Sequence, residues 1–188
     1  MRKLATFTNV TLDGYFAGPK GELEWAHRAA PDPEWNEFVA GNAQGGGTLL
    51  LGRVTYDMMV SYWPTPLAKK NDPAVAEGMN KLPKIVFSRT LDKSSWENTT
   101  MVKGDVAAEV RKLKQASGDD IAILGSGSII SQLAQAGLID EYQLVVHPII
   151  LGQGKSLFAG VEDAKSLKLT QTRAFANGNV LHCYEPAG

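Results

Sequence analysis

The sequence predicts an α/β protein with a mainly parallel central sheet, flanked by helices and completed by a C-terminal antiparallel hairpin. Short apolar runs, such as residues 49–51, alternate with segments whose apolar residues recur at helical spacing. This alternation is typical of a parallel sheet covered on both faces. The last third changes to alternating, β-branched segments, and Asn177-Gly178 between two of them favours a hairpin turn.

The individual elements follow in chain order. A first strand is predicted over residues 4–10, and Asp13-Gly14 then begins a long loop. A helix is predicted over 33–42, with Asp32 as its N-cap and Pro33 in its first turn. The next elements predicted are strand 48–51, helix 54–62, a proline-punctuated loop with a short helical stretch, strand 84–87, helix 106–115, strand 120–124 and a helix from Gly125 to Ala136 that Gly137 closes. Strands over 141–150, 166–175 and 180–184 complete one domain over residues 1–188.

Composition and charge argue against several classes of function. The chain has 19 basic and 20 acidic side chains, so we expect no nucleic-acid partner. No apolar stretch reaches the length of a membrane span, and the N-terminal residues lack a secretory signal pattern, so we expect a cytoplasmic protein without a membrane partner. Cys183 is the single cysteine and the three histidines are not spaced as ligands, so we expect no metal. We interpret Cys183 as a buried strand thiol.

Three predicted strand ends carry small turns that are rich in hydrogen-bond donors. They are Gly52-Arg53-Val54-Thr55, Ser88-Arg89-Thr90 and Gly125-Ser126-Gly127-Ser128-Ile129. Open α/β sheets bind ligands at the carboxyl ends of strands, where glycine lets a phosphate approach the backbone and arginine pairs with it. Each turn alone has the alternative of serving tight strand-to-helix packing. The three together favour a dinucleotide.

Two standard nucleotide motifs are absent. The turn that begins at Gly125 is not the Rossmann fingerprint, because Ile130 stands where its third glycine belongs. Gly154-Lys155-Ser156 resembles the end of a P-loop, but Ile149 occupies the position of the leading glycine. A different nucleotide-binding fold is therefore indicated.

The order of the motifs resembles the dihydrofolate-reductase superfamily, and within it the reductase domain of the bifunctional riboflavin-biosynthesis deaminase/reductase. The matching segments are residues 11–18, 51–56, 86–90, 124–128, 138–142 and 147–154. The last of these, His147-Pro148-Ile149-Ile150-Leu151-Gly152-Gln153-Gly154, is the most specific for the riboflavin-type reductase. The cysteines of the partner deaminase are missing from this chain, so we expect a free-standing reductase domain.

This resemblance implies NADPH as the cofactor. Arg53 and Thr55 match residues that hold its phosphates, and Ser88 with Arg89 matches the turn that binds the adenosine 2′-phosphate. Asn9 and the loop of residues 13–17 match a mobile flap over the nicotinamide. The complete set of implied cofactor residues is Asn9, Phe16, Ala17, Gly52, Arg53, Val54, Thr55, Ser88, Arg89, Thr90, Leu124, Gly125, Ser126, Gly127, Ser128, Ile129 and Gln132.

The substrate implied by the resemblance is a small pyrimidine- or pterin-like heterocycle. Trp25, Phe38, Met59 and Trp63 are the predicted substrate-binding residues, with Trp35 and Tyr62 in the same aromatic group; the alternative for each is an ordinary place in the core. Family members of the folate type use a carboxylate of the first helix, but no spacing distinguishes Asp32, Glu34 and Glu37, and all three can be helix-start or solvent-facing acids.

The predicted proton donor is Asp13, because the resemblance places its loop over the nicotinamide. Its alternative is an Asp-Gly turn in which the carboxylate bonds nearby backbone N–H groups. The leading hypothesis is an NADPH-dependent reductase, for which the family's best-known reaction is reduction of the ribosylamino-pyrimidine intermediate of riboflavin synthesis. Dihydrofolate reduction is the alternative within the class, and a nucleotide-binding module without turnover is the alternative outside it. A homodimer is left open.

Overall fold

Ten strands and six α-helices follow one another along residues 1–187, the part of the chain that this computed structural model describes. The strands are β1 (Leu4–Thr11), β2 (Tyr15–Ala17), β3 (Thr48–Gly52), β4 (Lys84–Phe87), β5 (Thr99–Val102), β6 (Ile121–Leu124), β7 (Glu141–His147), β8 (Lys155–Ser156), β9 (Leu167–Ala174) and β10 (Val180–Pro186). The helices are α1 (Pro33–Gln44), α2 (Arg53–Val60), α3 (Pro66–Asn71), α4 (Pro73–Lys81), α5 (Val106–Gln115) and α6 (Gly127–Gln135), and a 3₁₀ turn covers Glu24–His27.

Eight of the strands form one sheet in the order β5-β4-β3-β6-β1-β7-β10-β9. Strand β10 is antiparallel to both of its neighbours, and every other neighbouring pair in this sheet is parallel. Strands β2 and β8 form a separate antiparallel ribbon. The predicted fold class, a mainly parallel sheet with a terminal hairpin, is therefore confirmed.

Alternating strand residues build a core on each face of the sheet. Leu50 packs with α5 and α6, in a core that includes Ile123 and Leu133. Leu49 and Leu51, which point to the opposite face, pack with α2 and α4. Helices α1 and α4 approach so closely that a Cβ atom at position 78, occupied by glycine, would lie 2.2 Å from the carbonyl oxygen of residue 43. The helices thus form two layers around the sheet.

Several predicted boundaries differ from the structure. Strand β7 ends at His147 rather than residue 150, because Pro148 has no N–H to donate to the ladder. Helix α6 begins at Gly127 rather than Gly125, because Gly125 (φ +52°) and Ser126 (φ +59°) have left-handed backbone. Strands β2, β5 and β8 were not predicted: they are short and carry no run of buried apolar residues.

Two local predictions are confirmed. Gly137 (φ +64°) follows the end of α6, where its N–H donates to the carbonyl of Ala134 and the N–H of Leu138 donates to that of Leu133. This pair of hydrogen bonds is the Schellman arrangement that ends many helices. Cys183 lies in β10 and is buried, and burial raises the pKa of its thiol.

Candidate functional site

A crevice opens between the carboxyl ends of β1 and β6. The two strands pair only as far as Phe7 opposite Leu124, after which the chain leaves the sheet at Gly125. Strand β1 continues through residues 8–11 and stays paired with β7 up to His147. The edge of residues 8–11 that faces away from β7 therefore has no strand partner in the sheet. Such a crevice, outside the carboxyl ends of parallel strands, is where open α/β sheets bind ligands.

The turns after β3 and β6 are joined through one buried serine. The backbone N–H of Gly52 donates to Ser126 Oγ over 2.8 Å, and the same oxygen lies 2.9 Å from Thr55 Oγ1. Ser126 has a left-handed backbone (φ +59°), which is uncommon for a residue other than glycine. Such a conformation persists where neighbouring contacts enforce it, as these hydrogen bonds do here. The structure thus brings two of the three predicted turns together into one surface.

Helices α2 and α6 both begin at this surface without a side-chain cap. By contrast, α1 and α5 are capped by the carboxylates of Asp32 and Asp105, which accept hydrogen bonds from backbone N–H groups. An uncapped N-terminus leaves N–H donors and the positive end of the helix dipole available to an anion. Two such ends beside the crevice fit the phosphates of a dinucleotide.

The backbone at the start of α6 is open on one side and covered on the other. A Cβ atom at Gly125 would meet nothing nearer than Thr55, at 3.7 Å. At Gly127 it would meet the ring of Phe16 at 2.4 Å, so glycine is what lets this ring lie against the helix start. Phe16, predicted from the resemblance, therefore lies beside the same turn, whereas Ala17 pairs with Lys155 in the β2–β8 ribbon.

The third turn combines an internally bonded serine with an exposed arginine. Ser88 Oγ accepts hydrogen bonds from the backbone N–H groups of Thr90 and Leu91, so this hydroxyl shapes its own turn. Arg53 joins the turn to α2, donating to Thr90 Oγ1 over 2.9 Å and pairing with Asp57 at 2.6 Å. Arg89 is exposed and makes no ion pair or side-chain hydrogen bond within residues 1–187.

A cleft of about 440 Å³ lies along α6, bordered by Ala107 of α5 and by the loop at residues 159–160. Its lining residues are Ala107, Ser128, Ser131, Gln132, Gln135, Ala159 and Gly160. Two of them, Ser128 and Gln132, are predicted cofactor residues. Small side chains and two glutamine amides line it, and Gln132 Nε2 donates to the carbonyl of Ser128 within the same helix over 2.9 Å.

The predicted flap is anchored to a second loop. Asp13 Oδ1 accepts a hydrogen bond from Thr11 Oγ1 over 2.6 Å, and its carboxylate also accepts the backbone N–H groups of Leu151 and Gly152. The Thr11 hydroxyl first, and then these N–H groups, lower the pKa of Asp13 despite an opposing desolvation effect. Pairing of β2 with β8 ties the same two loops together. The carboxylate is thus ionised at neutral pH and engaged with backbone, as in the turn-forming alternative.

Asn9 does not belong to this flap. It lies within β1, and its Oδ1 is 2.9 Å from Nε2 of the buried His147. Burial first, and then the charge of His27, lower the pKa of His147 to about 4, so the imidazole is neutral at physiological pH. The flap position predicted for Asn9 is wrong, because β1 stays paired with β7 beyond this residue.

A group of aromatic rings lies next to this pair on the α1 side of the sheet. His147 meets the rings of Trp25 and Trp35 edge-on, with centroids 5.2 and 6.4 Å away. Trp35 and Phe38 in turn contact each other, and the group continues to Phe7 and Phe175. Of the predicted substrate residues, Trp25 and Phe38 are in this group.

The other two predicted substrate residues lie elsewhere. Met59 and Trp63 pack against the core formed by α2 and α4, so the structure does not bring all four into one cluster. Phe7 and Phe175 were not identified from the sequence, because Phe7 lies on β1 and Phe175 follows the end of β9, far away in the chain. Only the spacing of Trp35 and Phe38, about one helical turn apart, indicated from the sequence that two of these rings lie on the same side of a helix.

The acids at the start of α1 have structural contacts. Asp32 is buried and accepts the backbone N–H groups of Glu34 and Trp35, which confirms it as the N-cap, and also that of Asn177 in the terminal hairpin. Burial alone would raise the pKa of Asp32, but these hydrogen bonds lower it. Glu34 pairs with Arg173 at 2.6 Å, and Glu37 is exposed.

Neither a membrane span nor a metal cluster is found in the described part of the chain. No helix within residues 1–187 is both long and apolar enough to cross a bilayer. The same residues contain no group of three His, Cys, Asp or Glu side chains arranged to hold a metal ion.

The sheet order and the crevice define an α/β protein of the dihydrofolate-reductase type, and comparison with known proteins gives the family. The chain belongs to the RibD C-terminal domain family, whose model matches residues 2–181. It is 34% identical over 187 residues to the uncharacterized protein YyaP of Bacillus subtilis (strain 168), covering 97% of this chain and 94% of YyaP. It is 27% identical over 183 residues to YwjB of the same organism, covering 96% and 97%.

Solved structures share the fold. A protein from Shewanella sp. PV-4 described as a candidate riboflavin biosynthesis protein superposes with a TM-score of 0.75 at 24% identity, covering 99% of both chains. The diaminohydroxyphosphoribosylaminopyrimidine deaminase/5-amino-6-(5-phosphoribosylamino)uracil reductase of Thermotoga maritima gives a TM-score of 0.68 at 16% identity. That match covers 99% of this chain and 57% of the Thermotoga protein.

Proposed function

We propose that this protein is an NADPH-dependent oxidoreductase that reduces a flat, pyrimidine- or pterin-like heterocycle. The observation that carries the proposal is the crevice between β1 and β6, where Ser126 joins two turns and two helices begin uncapped. Membership of the RibD C-terminal domain family supports a reductase, and the name of the Thermotoga relative points to an aminopyrimidine substrate.

The residues present fit a dinucleotide. The uncapped starts of α2 and α6 and the open backbone at Gly125 would receive the pyrophosphate. The cleft beside Gln132 would take the adenine. Arg89, exposed at the end of β4 and without an ion pair in residues 1–187, would bind the 2′-phosphate that distinguishes NADPH from NADH.

The protein's part in the reaction is to orient two flat rings and exclude water from between them. NADPH, when bound, supplies the hydride. The flap held by Asp13 would cover one side of the crevice, and the aromatic group around Trp35 would hold the substrate on the other. Because Asp13 is ionised at neutral pH, we propose that water delivers the accompanying proton.

Two measurements test this proposal. The first is equilibrium binding of NADPH and NADH, followed by nicotinamide fluorescence, in which NADPH should bind more tightly. The second is NADPH oxidation, followed by absorbance, against a panel of aminopyrimidines, pterins and dihydrofolate. Oxidation with an aminopyrimidine supports the riboflavin-type reaction, and oxidation with dihydrofolate alone supports the folate-type alternative. NADPH binding without oxidation by any acceptor would instead establish a binding module.

A further inference from the structure

Asn9 is a polar side chain at the crevice that the cofactor turns do not engage. It lies on β1 beyond the last pair with β6, in the part of the strand that only β7 pairs with. Strand alternation places it on the same face as Phe7, whose ring contacts Phe38 of α1. Asn9 is half-buried.

The orientation of the Asn9 amide is fixed by His147. The imidazole is 2% exposed and is held edge-on by Trp25 and Trp35. Its Nε2 lies 2.9 Å from Asn9 Oδ1, and with Nε2–H as the donor the amide oxygen is the acceptor. This hydrogen bond turns the amide nitrogen of Asn9 away from His147.

The amide nitrogen is therefore left for a ligand. Within residues 1–187 no group accepts a hydrogen bond from Asn9 Nδ2, and the atom is not among the buried atoms that lack a partner. It is accessible, and its two N–H bonds are donors without an acceptor. A ligand beside it would meet these donors on the face of the sheet that Asn9 shares with Phe7, whose ring contacts Phe38 of the aromatic group.

We propose that Asn9, positioned by His147, donates a hydrogen bond to a ring carbonyl of the substrate, so that the site selects heterocycles with a lactam carbonyl. The proposal rests on the proposed function for the location of the substrate beside the cofactor crevice. A heterocycle with an amino group at that position would place N–H against N–H and leave both groups unpaired. Sites built around a hydrogen bond reject analogues that cannot make it.

The probes are pterin, which has a ring carbonyl, and 2,4-diaminopteridine, which has an amino group in its place. Their binding to the full chain is measured by quenching of pteridine fluorescence at pH 7.5. We expect the wild type to bind pterin about tenfold more tightly, a ratio that a single hydrogen bond can supply. Asn9→Asp presents only hydrogen-bond acceptors, so this variant should bind 2,4-diaminopteridine more tightly than pterin. In Asn9→Leu the two affinities should become equal.

The matched control is Asn36→Asp, which makes the same change of charge at an exposed residue of α1. It should keep the wild-type ratio. His147→Gln retains a donor for Asn9 Oδ1 and should preserve the preference for pterin, whereas His147→Leu releases the amide and should reduce it. Loss in both His147 variants would show only a structural role for this residue, against its assignment as the positioning group.

The proposal is overturned if wild type binds neither pteridine or binds both equally, or if Asn9→Asp keeps the wild-type ratio. NADPH binding is measured on the same samples, with circular dichroism as the check on folding. Intact NADPH binding without pteridine discrimination contradicts the role of Asn9 alone. Absence of NADPH binding in the wild type contradicts the proposed function itself.

Discussion

At the scale of the residue, most polar side chains around the crevice hold backbone turns rather than reach towards a ligand. Ser126 binds the N–H of Gly52, Ser88 binds two N–H groups of its own turn, and Asp13 binds two in the loop opposite. In the proposed function, ligand contact is therefore left to backbone N–H groups and to a few exposed side chains. Arg89 is an exposed cation at the turn after β4.

Arg89→Ala should weaken NADPH binding far more than NADH binding. The lost charge-assisted hydrogen bonds contribute roughly 1.5–3 kcal/mol, which corresponds to about ten- to a hundredfold in affinity for NADPH. The measurement is a pair of dissociation constants from nicotinamide fluorescence. Arg111→Ala, at an exposed position on α5, is the control and should change neither. Equal losses for the two cofactors in Arg89→Ala would remove this residue from the 2′-phosphate site.

Substitutions at Gly125 separate backbone strain from ligand approach. Gly125 has φ +52°, a conformation that a β-branched residue rarely adopts but asparagine tolerates. We expect Gly125→Val to lose both stability and NADPH binding. Gly125→Asn should melt within a few degrees of wild type yet bind NADPH at least tenfold more weakly, because its side chain occupies the space of the phosphates. An Asn variant that binds NADPH normally would show that this glycine serves only the turn.

At the scale of the element, two loops and a hairpin define the walls of the site. The segment of β2 is joined to that of β8 by strand pairing and by the Asp13 carboxylate. The terminal hairpin is joined to α1 by the Asp32 carboxylate, through the N–H of Asn177. In both cases an aspartate near the start of one element accepts backbone N–H groups of a segment more than a hundred residues away. The walls are thus linked by hydrogen bonds from backbone N–H groups to an aspartate carboxylate.

Asp13→Asn should loosen the flap without removing a proton donor. An amide nitrogen cannot accept from an N–H, so at least one hydrogen bond to Leu151 or Gly152 is lost. Hydrogen exchange over residues 13–17 and 151–156 should become faster, and the KM for NADPH should rise. The acidic limb of the kcat profile should stay in place, because the lowered pKa of Asp13 keeps it ionised there. A shifted acidic limb, absent from the exposed control Asp92→Asn, would restore the predicted catalytic role.

The sequence predicts these elements unevenly, for physical reasons. Buried strands such as β3 and β6 carry a dense apolar signal, and the N-cap at Asp32 is a local contact, so both could be predicted. Strands β2 and β8 could not be predicted, because they contain only three and two residues and pair with each other from loops that are far apart in the chain. The Asn9–His147 contact joins residues 138 positions apart and leaves no pattern in either segment.

At the scale of the whole molecule, the turns after β3 and β6 and the aromatic group occupy opposite sides of the carboxyl end of β1. The turns after β3 and β6 lie on one side of that strand, and β7 with the terminal hairpin lies on the other. His147, the last residue of β7, contacts Asn9 of β1 and Trp25 of the 3₁₀ turn. Because burial lowers the pKa of His147, the stability of this region depends on pH.

The stability of the protein should therefore fall in mild acid through His147. In the unfolded chain its pKa is near 6.5, whereas burial lowers the pKa to about 4 in the folded protein. Between these values the unfolded state binds the proton and the folded state does not, so the free energy of unfolding decreases as the pH falls from 7 to 4. The full difference corresponds to about 3 kcal/mol. This contribution to the free energy of unfolding is fully present above pH 6.5 and is lost as the pH approaches 4.

The test compares urea unfolding of wild type and His147→Gln at several values between pH 7.5 and 4.5. Glutamine keeps a donor for Asn9 but does not titrate, so the variant should lack this component of the acid dependence. At pH 7.5 the variant should be less stable than wild type, because it does not fill the space of the imidazole between Trp25 and Trp35. The gap should narrow steadily as the pH falls. A gap that stays constant across this range would mean that His147 titrates alike in the folded and unfolded states, and that its burial does not exclude the proton.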